Sequence, residues 1–306
     1  MNARPANRHL ANHNRDRAAV TVIELSAVVG VLGVAIALLL PAIQSARESA
    51  RQVDCQQRLR QTGSAMNQHL SVHRCYPTNG GRAPSGEEDD LITSSLNPRT
   101  IDYWLGGTVS WGVGQFGTDP RQQPGSAFLA VLPFLESADV GRRRAYDAVI
   151  STLLCPSRYR GEPSPAGRDA LGEYHGGAFR WAKVDWAVNR HVIVNRPTVH
   201  SSAFITDGTS ATIMMGEKYQ DPVIQNPACW LFDEPYWLGG SHGTSRERAD
   251  MWIDRRSENV RGGWGSAHPA GAGFVRFDGS VETIDYGIDR NLLMSLLHPR
   301  DAVVTP

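Results

Sequence analysis

The sequence predicts an α+β protein, with a long N-terminal α-helix that is membrane-spanning in its first half and packs on a mainly antiparallel, β-rich globular head. Three observations carry that prediction. From Val20 to Leu40 the chain is almost wholly apolar and passes without a break into a helically spaced pattern. Beyond residue 76 the texture changes to short apolar runs punctuated by Gly, Pro, Asn and Asp. Near the C-terminus, Asp278-Gly279 stands between two short strand-like stretches, the signature of a tight hairpin.

Residues 1–19 are polar, with Arg4, Arg8, Arg15 and Arg17 against one acid, Asp16, and are taken as a basic leader peptide. Residues 20–40 form the transmembrane part of the helix: about 21 residues rising 1.5 Å each span roughly 30 Å, the thickness of a bilayer's hydrocarbon core. Residues 41–75 are its amphipathic continuation, with Ile43, Ala46, Ala50 and Val53 at spacings of three and four and Leu59, Met66 and Leu70 on a shifted stripe. Pro41 falls inside the helix and is expected to kink it. Residues 76–306 are the extracytoplasmic head. Within it, residues 79–90 read as a loop, 126–136 as a short helix or a buried strand, 191–195, 202–205 and 211–217 as strands, and 292–297 as a terminal helix.

The chain has 306 residues, with Lys+Arg and Asp+Glu both at 31, so its formal net charge is zero. That balance implies no polyanionic partner, and no nucleic-acid partner is expected. Cys55, Cys75, Cys155 and Cys229 form no CxxC pair, which argues against zinc at the usual spacing. In an extracytoplasmic head they could form one or two disulfides, and the three complete pairings stay open.

A basic leader, a small residue and an apolar helix with an acid five residues in resemble the N-terminal methylation signal of type IV pilins and type II secretion pseudopilins. The resemblance sets Ala19 as the last leader residue before prepilin peptidase cleavage and Val20 as the new N-terminus, with Thr21 and Glu24 matching the pattern and Pro41 at the helix-kinking proline. Downstream, "LLPAIQSARESARQVDCQQRLRQTGSAMNQH", "LAVLPFLE", "LLCPSR", "ITDGTSATIMMGEK" and "SAHPAGAGFVRFDGSVETI" resemble the domain of unknown function 1559 (DUF1559) family, including its His-x(9)-Asp-Gly motif at His268 and Asp278-Gly279.

A carboxylate in a membrane helix usually faces a partner rather than lipid. Cleavage after Ala19 would expose an α-amine on Val20, one turn from Glu24, and Glu24 with Pro41 is the expected assembly element. No metal or cofactor is assigned; were one bound, His268, Asp278, Asp207 and Glu217 are the candidates, with Ca²⁺ as the ion on account of the hard oxygens. His175, His191, His200 and His242 are further imidazoles. The blander reading is that both Asp-Gly pairs are turns. Cys155 in "CPS" reads as a structural thiol rather than a nucleophile, and Trp230, Trp237, Trp252 and Trp264 as core rather than a sugar platform. No GxSxG elbow, P-loop or HExxH is present, so no catalytic residues are assigned and no enzyme is expected.

The functional expectation is a structural subunit that is membrane-inserted as a prepilin and assembled through its helix with other pilin-like subunits into a type II secretion pseudopilus or related filament. It would sit single-pass in the inner (cytoplasmic) membrane. The alternative is a membrane-anchored binding module for a polysaccharide, divalent ion or secreted protein that never polymerises. Orientation rests on the resemblance, because Arg47, Arg51, Arg58 and Arg60 follow the apolar run as four arginines precede it.

Overall fold

The computed structural model describes residues 21–81, 99–102, 107–110, 113–158, 160–165, 167–168, 172–175, 179–222, 234–255 and 262–301. The leader, Ala19, Val20, most of the 79–90 loop, Cys229 and Trp230 lie outside them. The chain divides after Arg47 into two units.

The first unit is the N-terminal portion of α1 (Val22–His73), a helix that includes Pro41. Its start follows from a capping box. Thr21 Oγ1 accepts from the Glu24 amide at 3.2 Å, while Glu24 Oε2 accepts from the Thr21 amide and from Thr21 Oγ1, both at 2.9 Å. The large apolar side chains of this stretch are exposed, from Val22 at 83% to Leu40 at 53%. By length and composition this portion is able to cross a membrane.

In the second unit α1 becomes a core element, with Cys55, Leu59, Ala65 and Met66 buried. Two short strand groups come early: β1 (Arg99–Asp102), β2 (Gly107–Ser110), β3 (Ser164–Pro165), β4 (Gly172–His175) and β5 (Arg180–Trp181), with β1 antiparallel to both β2 and β4, and β3 to β5. The main sheet uses β6 (Trp186–Asn189), β7 (Ile213–Glu217), β8 (Ser245–Arg246), β11 (Ala272–Arg276) and β12 (Val281–Ile284) in the order β12-β11-β7-β6-β8. Its pairs are antiparallel except β6 with β8. Beside it β9 (Met251–Ile253) pairs in parallel with β10 (Trp264–Ser266).

Small residues let α1 lie directly on this sheet. A Cβ at Gly63 of α1 would fall 2.6 Å from Val275 Cγ1 of β11, and one at Gly273 of β11 would fall 2.6 Å from Leu59 Cδ1 of α1. Such contacts leave no room for a methyl group on either side. Polar ties flank the seam: Gln56 Nε2 donates to Thr283 Oγ1 at 2.8 Å, and Arg58 Nη1 donates to the carbonyl of Ser151 at 2.8 Å. All five residues of β7 are buried, as the centre of a covered sheet requires.

Residues 126–136 resolve into α2 (Ala127–Ala130), capped by Ser126, and a 3₁₀ turn at Leu132–Leu135. Two expected strands are absent. After β6 the chain turns at once, the amides of Val192 and Ile193 donating to the Asn189 carbonyl, and residues 202–204 form a 3₁₀ turn. Val192 and Ile193 are buried by packing, so their apolarity marks burial rather than pairing. α3 (Ala138–Arg143) and α4 (Arg290–Leu297) complete the head, α4 starting where Asp289 Oδ1 accepts from the amides of Asn291 and Leu292.

The β11–β12 hairpin also differs from a two-residue turn. Gly279 donates to Arg276 O and the Arg276 amide to Ser280 O, and only Gly279, at φ 89°, takes positive φ. This is the three-residue loop with a glycine bulge. Asp278 serves it by accepting from the Ser280 amide at 2.8 Å and hydroxyl at 2.7 Å.

Candidate metal centre

Four residues far apart in sequence meet beneath α1: Cys55 from α1, Cys155 from the loop after a 3₁₀ turn at Ser151–Leu153, Glu217 from the end of β7, and His268 from the loop between β10 and β11. One donor atom from each lies within 4.8 Å of all the others. Every one of the four is about 1% exposed.

Each donor is aimed by its own neighbours. Cys155 is pinned through its backbone, its amide donating to Asp185 Oδ2 at 2.7 Å. Asp185 is itself held by Arg160 Nη1 at 2.6 Å. Arg158 ties the surrounding loops together, donating to both carboxylate oxygens of Asp254 and to the carbonyls of Asp185, Lys218 and Gly265. Glu217 Oε2 accepts from the Gly273 amide at 2.8 Å, while its Oε1 is buried with no hydrogen-bond partner. An orphaned carboxylate oxygen in a core is costly unless something cationic fills its lone pairs.

His268 shows the clearest orientation. Nδ1 stands 2.6 Å from Glu48 Oε1, and since an ionised carboxylate only accepts, Nδ1 carries the hydrogen. That leaves Nε2 facing Cys155 Sγ at 3.4 Å. Tyr286 steadies the loop by donating to the His268 carbonyl at 2.7 Å, and the His268 amide donates to Ser266 Oγ at 3.1 Å.

The electrostatics match this geometry. Donation from the Cys55 thiol lowers the pKa of Cys155 despite burial, with His268 adding to the effect. The same contact with Cys155, together with burial, raises that of Cys55. Burial pushes His268 down, but the hydrogen bond to Cys155 and the charges of Glu217 and Cys155 outweigh it and hold the imidazole at about 9. Burial, with the charge of Cys155 beside it, pushes Glu217 up to about 8. Both shifts run in the direction that favours the thiolate at Cys155 and the protonated imidazole at His268.

Chemically, the order Cys155, His268, Glu48 has the connectivity of nucleophile, base and orienting acid. Cys155 and His268 are each about 1% exposed, and a reaction at this pair would need access for a substrate. Ligation needs no such access, since a structural ion is captured as the chain folds.

Of the residues singled out from sequence, the structure brings His268 and Glu217 together and leaves Asp278 and Asp207 elsewhere. Asp278 is exposed in its turn, and Asp207 Oδ2 accepts from the Asp301 amide at 2.7 Å. The other imidazoles are engaged locally: His191 and His200 with the carbonyls of Glu247 and Val192, His242 with Arg190, and His175 with Glu173. Trp237 and Trp264 are fully buried and Trp252 half-buried. Cys55, Cys75 and Cys155 are thiols.

Sequence reasoning missed the roles of Glu48, Cys55 and Cys155. The signal was there in another form: of the five motifs noted above, four, in the stretches "ESARQVDC", "LLCPSR", "ATIMMGEK" and "SAHPAGAG", each contribute one residue of the cluster, and "LAVLPFLE" contributes none. No curated protein and no solved structure matches the chain. The profile of the family described as "Protein of unknown function (DUF1559)" matches residues 44–291, a stretch that contains all four cluster residues and Glu48, and the chain belongs to that family.

Proposed function

We propose that this protein is a pilin-like structural subunit, held single-pass in the inner membrane by residues 20–40 with its head on the extracytoplasmic side, and assembled through its N-terminal helix into a type II secretion pseudopilus or related filament. The observation that carries this reading is the first unit: an exposed apolar helix whose one acid before Pro41, Glu24, lies at its entrance. In a bilayer the apolar side chains face lipid or other helices, and a carboxylate at that depth favours a cationic partner. Prepilin peptidase would supply that cation by cutting between Ala19 and Val20, and neighbouring subunits would bring their helices to it.

The test is incorporation into filaments in the native host, with Glu24→Gln as the decisive variant. Glutamine keeps the capping box, since Gln serves at that position as Glu does, and removes only the charge. A pilin-like subunit loses incorporation while keeping membrane insertion. Unchanged incorporation, or a mature N-terminus other than Val20 on sequencing, overturns the reading in favour of a simple anchor.

A further inference from the structure

Anchoring and assembly leave the cluster in the head unexplained. We propose that Cys55, Cys155, Glu217 and His268 bind one divalent transition-metal ion, for which zinc is the best match, through both thiolates, imidazole Nε2 and Glu217 Oε1. This site locks α1 to the sheet and to the loops that carry Cys155 and His268, and it is structural rather than catalytic.

Donor chemistry selects the ion. Two thiolates and an imidazole are soft to borderline ligands that favour zinc over calcium or magnesium, and four protein donors make the closed set of a structural site. Distances agree: with Zn–S of about 2.3 Å and Zn–N of about 2.0 Å a tetrahedral S···N edge is about 3.5 Å, against 3.4 Å between Cys155 Sγ and His268 Nε2. All the other donor separations lie within 4.8 Å, against a thiolate–thiolate edge of about 3.8 Å around zinc, so closure asks for shifts on the order of an ångström at most edges.

Two independent observations point to a ligand. Glu217 is one of the four cluster residues, and its Oε1 is a buried acceptor with no hydrogen-bond partner. Glu48 sets the tautomer of His268 from the side away from Cys155, the arrangement by which a carboxylate orients a metal-binding imidazole. Loading needs no redox partner. The ion replaces the Cys55 thiol proton, the proton between Cys155 and His268 and the proton that burial favours on Glu217, and all three leave to solvent. The competing chemistry is oxidation of Cys55 and Cys155 to a disulfide, which would release both thiol hydrogens to an external oxidant and leave Glu217 and His268 without a common ligand.

The experiment uses the full chain purified in detergent from cells supplied with zinc, with metal content measured by mass spectrometry and thiols counted under denaturing conditions. The expected result is one zinc per chain and both thiols reduced. Replacement by cobalt should give thiolate-to-cobalt charge-transfer bands and intense tetrahedral visible bands. That spectrum reads the site in the unmutated protein, so the proposal stays testable even where a variant fails to fold. Cys155→Ser should lose the ion, and Glu217→Gln should bind it more weakly with altered visible bands. A metal-free chain, whether its thiols are free or joined as a disulfide, overturns the proposal, as does zinc retained in full by Cys155→Ser.

Discussion

Glu48 Oε1 lies 2.6 Å from His268 Nδ1, although the two residues are 220 positions apart in the chain. Glu48 also accepts from Arg51 at 2.6 Å, so one carboxylate joins a helix-surface ion pair to a buried imidazole. Burial raises the pKa of Glu48, but donation from His268 and Arg51 more than offsets it and leaves the group below its ordinary value. Glu48→Gln should weaken zinc binding by about 10- to 100-fold, the usual effect of removing a carboxylate behind a ligating histidine. Competition with a chromophoric chelator measures this, and an unchanged affinity removes Glu48 from the site.

Gly63 provides a case in which two effects oppose each other. In an exposed helix Gly→Ala gains about 1 kcal/mol. Here the added Cβ meets Val275 Cγ1 at 2.6 Å, and Val275 is β-branched and buried, so it yields little. Overpacking of this kind costs about 1–3 kcal/mol. Gly63→Ala should therefore destabilise the head, and a raised urea midpoint would contradict the close approach of α1 to β11.

Asp185 is fully buried, pairs with Arg160 at 2.6 Å and holds the amide of Cys155 at 2.7 Å. Removing one member of a buried ion pair costs about 3–5 kcal/mol. Asp185→Ala should lower the unfolding midpoint by a corresponding amount and disorder the cobalt spectrum, because Cys155 loses its backbone anchor. A spectrum identical to the wild type would show that the cluster does not depend on this carboxylate.

His69 governs an acid-side loss of stability. Burial, outweighing the hydrogen bond with the Cys75 carbonyl and aided by the neighbouring His73, lowers its pKa to about 4. A histidine with a depressed folded pKa is protonated more readily when unfolded. Its contribution is therefore intact above the unfolded value near 6.5 and is lost as pH falls towards 4. Between pH 7 and pH 5 the wild type should lose about 2 kcal/mol more than His69→Gln in chemical unfolding followed by tryptophan fluorescence. Parallel losses in the two proteins would rule His69 out as the cause.

Much of the architecture is legible from local pattern. The helix and the strand at 213–217 follow from periodicity and composition, and the hairpin from Asp278-Gly279, although the loop is one residue longer than the dipeptide indicates. Residues 191–195 mislead because burial in a loop and burial in a strand leave the same apolar composition. For the cluster the obstacle is different. Zinc is ordinarily recognised from closely spaced cysteines, whereas Cys55 and Cys155 become neighbours only when α1 lies on β11. Glu217 and His268 were visible as candidates, but sequence proximity paired them with Asp207 and Asp278, which the turns consume.

The capping box at the start of α1 constrains how any processed end could behave. A cut between Ala19 and Val20 leaves Thr21 and Glu24 on the same chain, so the mature helix keeps its start, and the Glu24 carboxylate remains committed to two donors on Thr21. A new terminal amine must then compete with those bonds or be added to them as a third donor. In a subunit that assembles as proposed, the acid would hold a place in its own chain before any neighbour arrived, and docking would be an exchange of partners rather than the rescue of a bare charge.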